Sequence, residues 1–61
     1  MPMIRVELLK GRSVAQKREF ASVLTAEASR ILKCPPDGIN VVFIDIDRDD
    51  WATAGVLVAD K

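Results

Sequence analysis

The sequence predicts an α+β fold made of a single βαβ unit with parallel strands and a short C-terminal hairpin, on three observations. Residues alternate in character from Met3 to Leu9, apolar residues recur every three or four positions from Phe20 to Leu32, and branched apolar side chains dominate Ile39 to Ile46. A two-residue period marks a strand with one core-facing side, and a period between three and four marks an amphipathic helix. Strand, helix and strand joined by short connections imply parallel strands with a right-handed crossover. The 61 residues are expected to form one domain, residues 1–61.

In the first strand Ile4, Val6 and Leu8 share one face and Arg5 and Glu7 the other. Lys10-Gly11-Arg12 breaks the alternation. Ser13 followed three residues later by Gln16 has the form of a capping box, in which each side chain satisfies an N–H that the helix start leaves unpaired, so a helix begins at Val14. Its expected buried stripe is Phe20, Val23, Leu24, Ala28, Ile31 and Leu32. Arg30 and Lys33 suit the negative end of the helix dipole, and Pro35 and Pro36 forbid continuation, so the helix ends near Lys33. Asp37-Gly38 reads as a turn and Ile39 to Ile46 as a strand inside a sheet. After the polar stretch Asp47 to Asp50, the tail Trp51 to Val58 is mostly small or apolar, and Gly55 permits a tight bend. One helix cannot cover both faces of a two-stranded sheet and this tail, so neighbouring subunits are expected to supply the cover.

Composition narrows the function classes. A chain this short buries only about 60% of its unfolded surface, and with one Cys and no His it has no disulfide or zinc site to brace it. Nine basic and nine acidic side chains cancel, with no local basic cluster, which argues against nucleic acid as a partner. The longest uncharged run, Trp51 to Ala59, is far short of the roughly 20 residues that span a bilayer, so no membrane partner is expected and the cytosol is the default compartment. Cys34 reads as a small buried hydrophobe. Asp45, Asp47 and Asp49 superficially suggest a calcium loop, but the sixth position is Asp50 where Gly is needed and the twelfth is Val56 where Glu is needed; a solvated acidic turn is the expectation, and no metal is called for.

Without His, general-base chemistry must come from a carboxylate, a Lys, the Cys or the chain terminus. Removal of the initiator Met ahead of a small residue would leave Pro2 with a free secondary amine. An ordinary α-amino group titrates near ~7.7 to 8, and apolar walls disfavour its ammonium form, leaving a neutral base at pH 7. By position alone Pro2 simply starts the chain. Taken alone, Arg12 is a solvated loop arginine and Trp51 a core or interface aromatic.

Their combination carries more. Pro2, then Leu9-Lys10-Gly11-Arg12-Ser13 with Gln16-Lys17, then Pro35 after the helix and Trp51 ahead of Ala54-Gly55, resemble in order and spacing the 4-oxalocrotonate tautomerase family over essentially the whole chain. The resemblance implies a βαβ subunit, dimers assembled into a homohexamer, and an isomerase that uses an amino-terminal proline as general base with no cofactor or metal. It implies that Pro2 moves a proton on a small carboxylate-bearing enol or unsaturated 2-oxo acid, a setting of aromatic-compound catabolism. Arg12 matches the family arginine that grips a substrate carboxylate, a task suited to its planar fork. Trp51 stands where the family has an aromatic residue, usually Phe, walling the proline.

Asn40 is the main departure, since the best-known members carry there a second arginine, contributed by a neighbouring subunit. Neutral hydrogen bonds are roughly half as strong as charge-assisted ones, and losing a preorganised donor to a developing enolate typically costs about 3 to 4 kcal/mol. Asn40 is therefore either a weak substrate-binding residue or a strand residue bonded in the sheet or at a subunit contact. Two alternatives stand beside the tautomerase reading. One is a hydratase or dehalogenase that uses the same base on a short unsaturated acid, and the other is a noncatalytic oligomer-forming subunit.

Overall fold

The computed structural model describes residues 2–61, and its element order is that of the predicted unit. Strand β1 (Met3–Leu9) is followed by helix α1 (Val14–Leu32), strand β2 (Asn40–Ile46) and a hairpin of β3 (Ala52–Thr53) and β4 (Val56–Leu57). Single 3-10 turns at Pro36–Gly38, Arg48–Asp50 and Val58–Asp60 punctuate the connections. The first of these falls on the expected Asp37-Gly38 turn, with Pro36 fixing the φ of its first residue. Among the described residues no helix is long and apolar enough to cross a membrane.

β1 and β2 pair in parallel from Met3 with Asn40 through Leu9 with Ile46. Backbone bonds extend the ladder at both ends, from Asn40 N–H to the Pro2 carbonyl (3.0 Å) and from Lys10 N–H to the Ile46 carbonyl (2.9 Å). The pleat sends Ile4, Val6 and Leu8, with Val41, Phe43 and Asp45, toward α1. Met3, Arg5, Glu7 and Leu9, with Asn40, Val42, Ile44 and Ile46, form the opposite face, which is exposed among the described residues except at its far end, where Leu9 and Ile46 are half-buried.

Helix α1 starts where the capping box places it. Gln16 N–H donates to Ser13 Oγ (3.1 Å), and Ser13 N–H donates to Gln16 Oε1 (2.9 Å). It ends with Lys33 in the left-handed region (φ 56°), a conformation that turns the chain toward Pro35. Ser29 Oγ donates to the Cys34 carbonyl, closing that end. The hairpin turn has Ala54 at φ 55° and Gly55 at φ 82°, both positive as a type I′ turn requires.

The expected single buried stripe on α1 is corrected by the structure. Leu24 and Ala28, with Ala21 and Thr25, are half-buried against the sheet, whereas Phe20, Val23, Ile31 and Leu32 stay exposed, Val23 at 57% and Ile31 at 62%. A sheet two strands wide, with strands about 4.8 Å apart, is narrower than the helix stripe it would have to cover. Ile39, at the entry to β2, is the one buried apolar residue among those described, at 8% exposure. The second strand thus begins one residue after the expected Ile39, because that residue packs inward at the turn.

The shape records the same deficit. Its radius of gyration is 14.5 Å with principal extents of 43 × 23 × 13 Å, against roughly 10.5 Å for a compact chain of this length. Its accessible surface of 4739 Å² exceeds the roughly 3,900 Å² typical of a compact monomer of its mass by about 800 Å². That excess is about what each partner buries in a standard protein interface.

Candidate active site

The four residues singled out from the sequence occupy two ends of the molecule. Pro2, half-buried, and Asn40, exposed, lie together where both parallel strands begin, joined by the backbone bond from Asn40 to Pro2. Arg12 lies beyond the far end of β1. Seven strand residues at about 3.3 Å each put roughly 20 Å between the Pro2 end and the turn that carries Arg12. Trp51 follows the far end of β2, on the Arg12 side of the sheet, and its carbonyl accepts from Val58 N–H (2.8 Å) at the base of the hairpin. Within one chain, the residues expected to act as base and as carboxylate ligand do not meet. Removal of Met1, on which the base depends, concerns a residue outside those described.

Arg12 belongs to a cleft of about 290 Å³ between the start of α1 and the sheet, floored by Val6, Leu8 and Phe43 and flanked by Phe20. The rings of Phe20 and Phe43 lie 6.2 Å apart at 53°, an aromatic contact that ties the helix to β2. Two local devices hold the backbone on either side of Arg12. Gly11 before it takes φ 130°, open to glycine and strained for other residues, and Ser13 after it is locked in the capping box. The guanidinium forms no ion pair among the described residues.

Sequence reasoning missed the second cation of this cleft. Lys17 lies in it, but its Nζ is 2.7 Å from Asp45 Oδ2, in a pair between a half-buried lysine and an exposed aspartate. The signal was present only in the register, since Asp45 falls opposite Leu8 on the helix side of the sheet. Arg12, itself exposed, is therefore the unneutralised charge of a hollow with an apolar floor, a setting that favours binding a carboxylate attached to an apolar body.

Beyond the sheet, Arg48 Nη2 donates to the Val58 carbonyl (3.2 Å). Val58 thus has its carbonyl bonded to Arg48 and its N–H to Trp51, which fastens the hairpin base to the turn before it. Lys10 and Asp47 make an exposed pair at 3.5 Å across the same end. Carboxylate oxygens of Asp47, just before the Arg48–Asp50 turn, and of Asp49 and Asp50 within it lie within 4.8 Å of one another, all three residues exposed. This is the solvated acidic turn expected, except that Asp45 has left it for Lys17. Cys34 is half-buried beside the end of α1.

Known proteins resemble this chain throughout its length. The profile of the Tautomerase family, described as "Tautomerase enzyme", matches residues 2–61. A probable tautomerase of Listeria innocua is 33% identical over 60 residues, covering 98% of each chain. A crystal structure of a 4-oxalocrotonate tautomerase homologue superposes with a TM-score of 0.95 at 43% identity, covering 100% of this chain and 97% of that one. A heterohexamer 4-oxalocrotonate tautomerase from Chloroflexus aurantiacus superposes with a TM-score of 0.93 at 28% identity, covering 98% of this chain and 97% of its own.

Proposed function

Because the chain belongs to the tautomerase family, we propose that it shifts a proton on an enol or unsaturated 2-oxo acid, with the nitrogen of Pro2, freed by loss of Met1, as general base. The neutral imino nitrogen takes the proton from the enol hydroxyl, or from the carbon next to the 2-oxo group. The electron pair left behind spreads along the conjugated chain. The same proton returns at a distant carbon, so the double bond moves and no atom is gained or lost. The step calls for no cofactor, since the base and the electron-withdrawing carboxylate clamp suffice.

Arg12 binds the substrate carboxylate bidentately and draws electron density toward it. Trp51 walls the base with apolar surface, which disfavours the ammonium form. Asn40, beside Pro2, donates a neutral hydrogen bond to the 2-oxo region.

The observation that carries this reading is the separation of the two half-sites along one strand. A strand with Pro2 at its start and Arg12 past its end supplies both groups to one substrate only if a second copy runs the other way, so that the Arg12 end of one lies beside the Pro2 end of the next. The uncovered sheet face, the exposed stripe of α1 and the roughly 800 Å² of excess surface all favour such a pairing, and closed symmetric assemblies satisfy it in every copy. We take the assembly to be a homohexamer, a trimer of dimers.

The test combines intact mass with turnover. Protein from its native host should lack the mass of Met1, and it should turn over phenylenolpyruvate and 2-hydroxymuconate. Pro2→Ala should lose most of that rate. Equal rates for the two proteins would remove Pro2 from the mechanism, and solvent oxygen in the product would mark a hydrating or dehalogenating enzyme instead.

A further inference from the structure

The capping box that starts α1 leaves half of a side-chain amide unused. Gln16 Oε1 accepts from Ser13 N–H at 2.9 Å, and only an oxygen can accept there, which fixes which end of the amide faces the cap. The other end, Nε2 with two N–H donors, has no partner among the described residues. Gln16 also lines the Arg12 cleft. The charge of Lys17, the neighbouring cation, is paired with Asp45, so Arg12 and Gln16 are the side chains of the hollow whose free donors have no partner among the described residues. We propose that Gln16 is a further substrate-binding residue, whose Nε2 donates to the carboxylate that Arg12 holds.

This rests on the reading of Arg12 as carboxylate ligand and deepens it. A guanidinium fork engages both oxygens of a carboxylate along one edge, leaving a lone pair on each for another donor. An amide locked at its oxygen end meets that need with less orientational freedom to lose than a side chain free to rotate. The cap and the ligand contact thus use opposite ends of one group.

Three variants separate the two uses. Gln16→Glu keeps the acceptor that the capping box needs and removes the donor. Gln16→Met removes both, and Ser13→Ala weakens the cap while leaving the donor in place. With phenylenolpyruvate as substrate, Gln16→Glu and Gln16→Met should each raise KM about tenfold, the scale of one hydrogen bond to a charged group, with kcat little changed. Gln16→Glu should keep the wild-type melting temperature, and Ser13→Ala should lower the melting temperature yet keep KM.

A KM that stays at the wild-type value in Gln16→Met, or that rises as far in Ser13→Ala as in Gln16→Met, overturns the proposal and leaves Gln16 as a cap alone. Arg12→Ala distinguishes the layers. If it leaves KM unmoved, the carboxylate reading is wrong and the role of Gln16 goes with it. If it raises KM while the Gln16 variants do not, only the Gln16 inference falls.

Discussion

Lys17 Nζ and Asp45 Oδ2, 2.7 Å apart, join the first turn of α1 to the end of β2 across 28 positions of sequence. With Phe20 on Phe43, this pair is what anchors the start of the helix, and so the Arg12 cleft, to the sheet. Because both groups keep some contact with water, the pair is worth about 1 kcal/mol at most. Asp45→Ala should lower stability by about that amount, and a double-mutant cycle with Lys17→Ala should return a coupling of about 0.5 to 1 kcal/mol that shrinks in high salt. Denaturant melts at one fixed protein concentration measure it, since assembly makes stability depend on concentration.

The pH profile of turnover tests the wall around Pro2, and the sign follows from which form is active. The base works only when unprotonated, so kcat/KM should rise with pH through the titration of the imino nitrogen. Apolar burial lowers the pH of that rise. Trp51→Ala admits water, stabilises the ammonium form and should move the rise to higher pH, so activity at neutral pH falls while activity at alkaline pH recovers. A profile whose rising limb stays in place after Trp51→Ala would mean that the indole does not wall the base.

How far the chain was legible follows from the range of each interaction. The capping box at Ser13 and Gln16 is local, four residues long, and the sequence and the structure agree on it. The strand faces were legible because a two-residue period is rigid. The partial exposure of Phe20, Val23 and Ile31 was not, because period alone says which residues share a face and never how wide a surface they meet. Lys17 and Asp45 could be paired only after the parallel register was known. The relation of Pro2 to Arg12 was hardest, since the two sit at opposite ends of β1 and proximity in sequence says nothing about copies of the chain.

The Asn40 position makes a directional prediction. Its side chain is exposed at the first residue of β2, and its backbone N–H is already bonded to Pro2, so a larger side chain has room without disturbing the ladder. Asn40→Arg should raise kcat/KM for the dicarboxylate 2-hydroxymuconate by about tenfold or more, the difference between a neutral and a charge-assisted bidentate contact. The gain for the monocarboxylate phenylenolpyruvate should be smaller. Equal gains would show the arginine acting as a general positive field and not as a ligand of the second carboxylate.

The hairpin turn holds strain that a substitution can release. Ala54 sits at φ 55°, where a side chain with Cβ is disfavoured by roughly 1 kcal/mol. Asn tolerates that conformation and is the favoured first residue of a type I′ turn before Gly. Ala54→Asn should therefore stabilise the protein by about 0.5 to 1 kcal/mol, and Gly55→Ala, which adds a Cβ at φ 82°, should destabilise it. Paired denaturant melts of the two variants read opposite signs if the turn is formed, and no difference if the hairpin is open in solution.

Assembly itself is open to a direct test, because the exposed apolar side chains lie on two different elements, α1 and the bare face of the sheet. Val23 and Ile31 on α1 are 57% and 62% exposed, and Ile44 on the bare sheet face is 38% exposed. A single chain gains nothing from burying charge-free side chains it cannot reach, so Val23→Glu or Ile44→Lys on an isolated monomer should change stability by no more than about 0.5 kcal/mol. In an assembly each substitution buries an unpaired charge in every copy, a change that costs several kcal/mol per site. Native mass measurement should therefore show wild type as a hexamer and both variants as smaller species. Because the two surfaces belong to different elements, the variants should stop at different intermediates, one blocked at the helix contact and the other at the sheet contact. Turnover should fall with assembly in both if, as proposed, Pro2 and Arg12 meet across copies, and a monomeric variant with full activity would break that link.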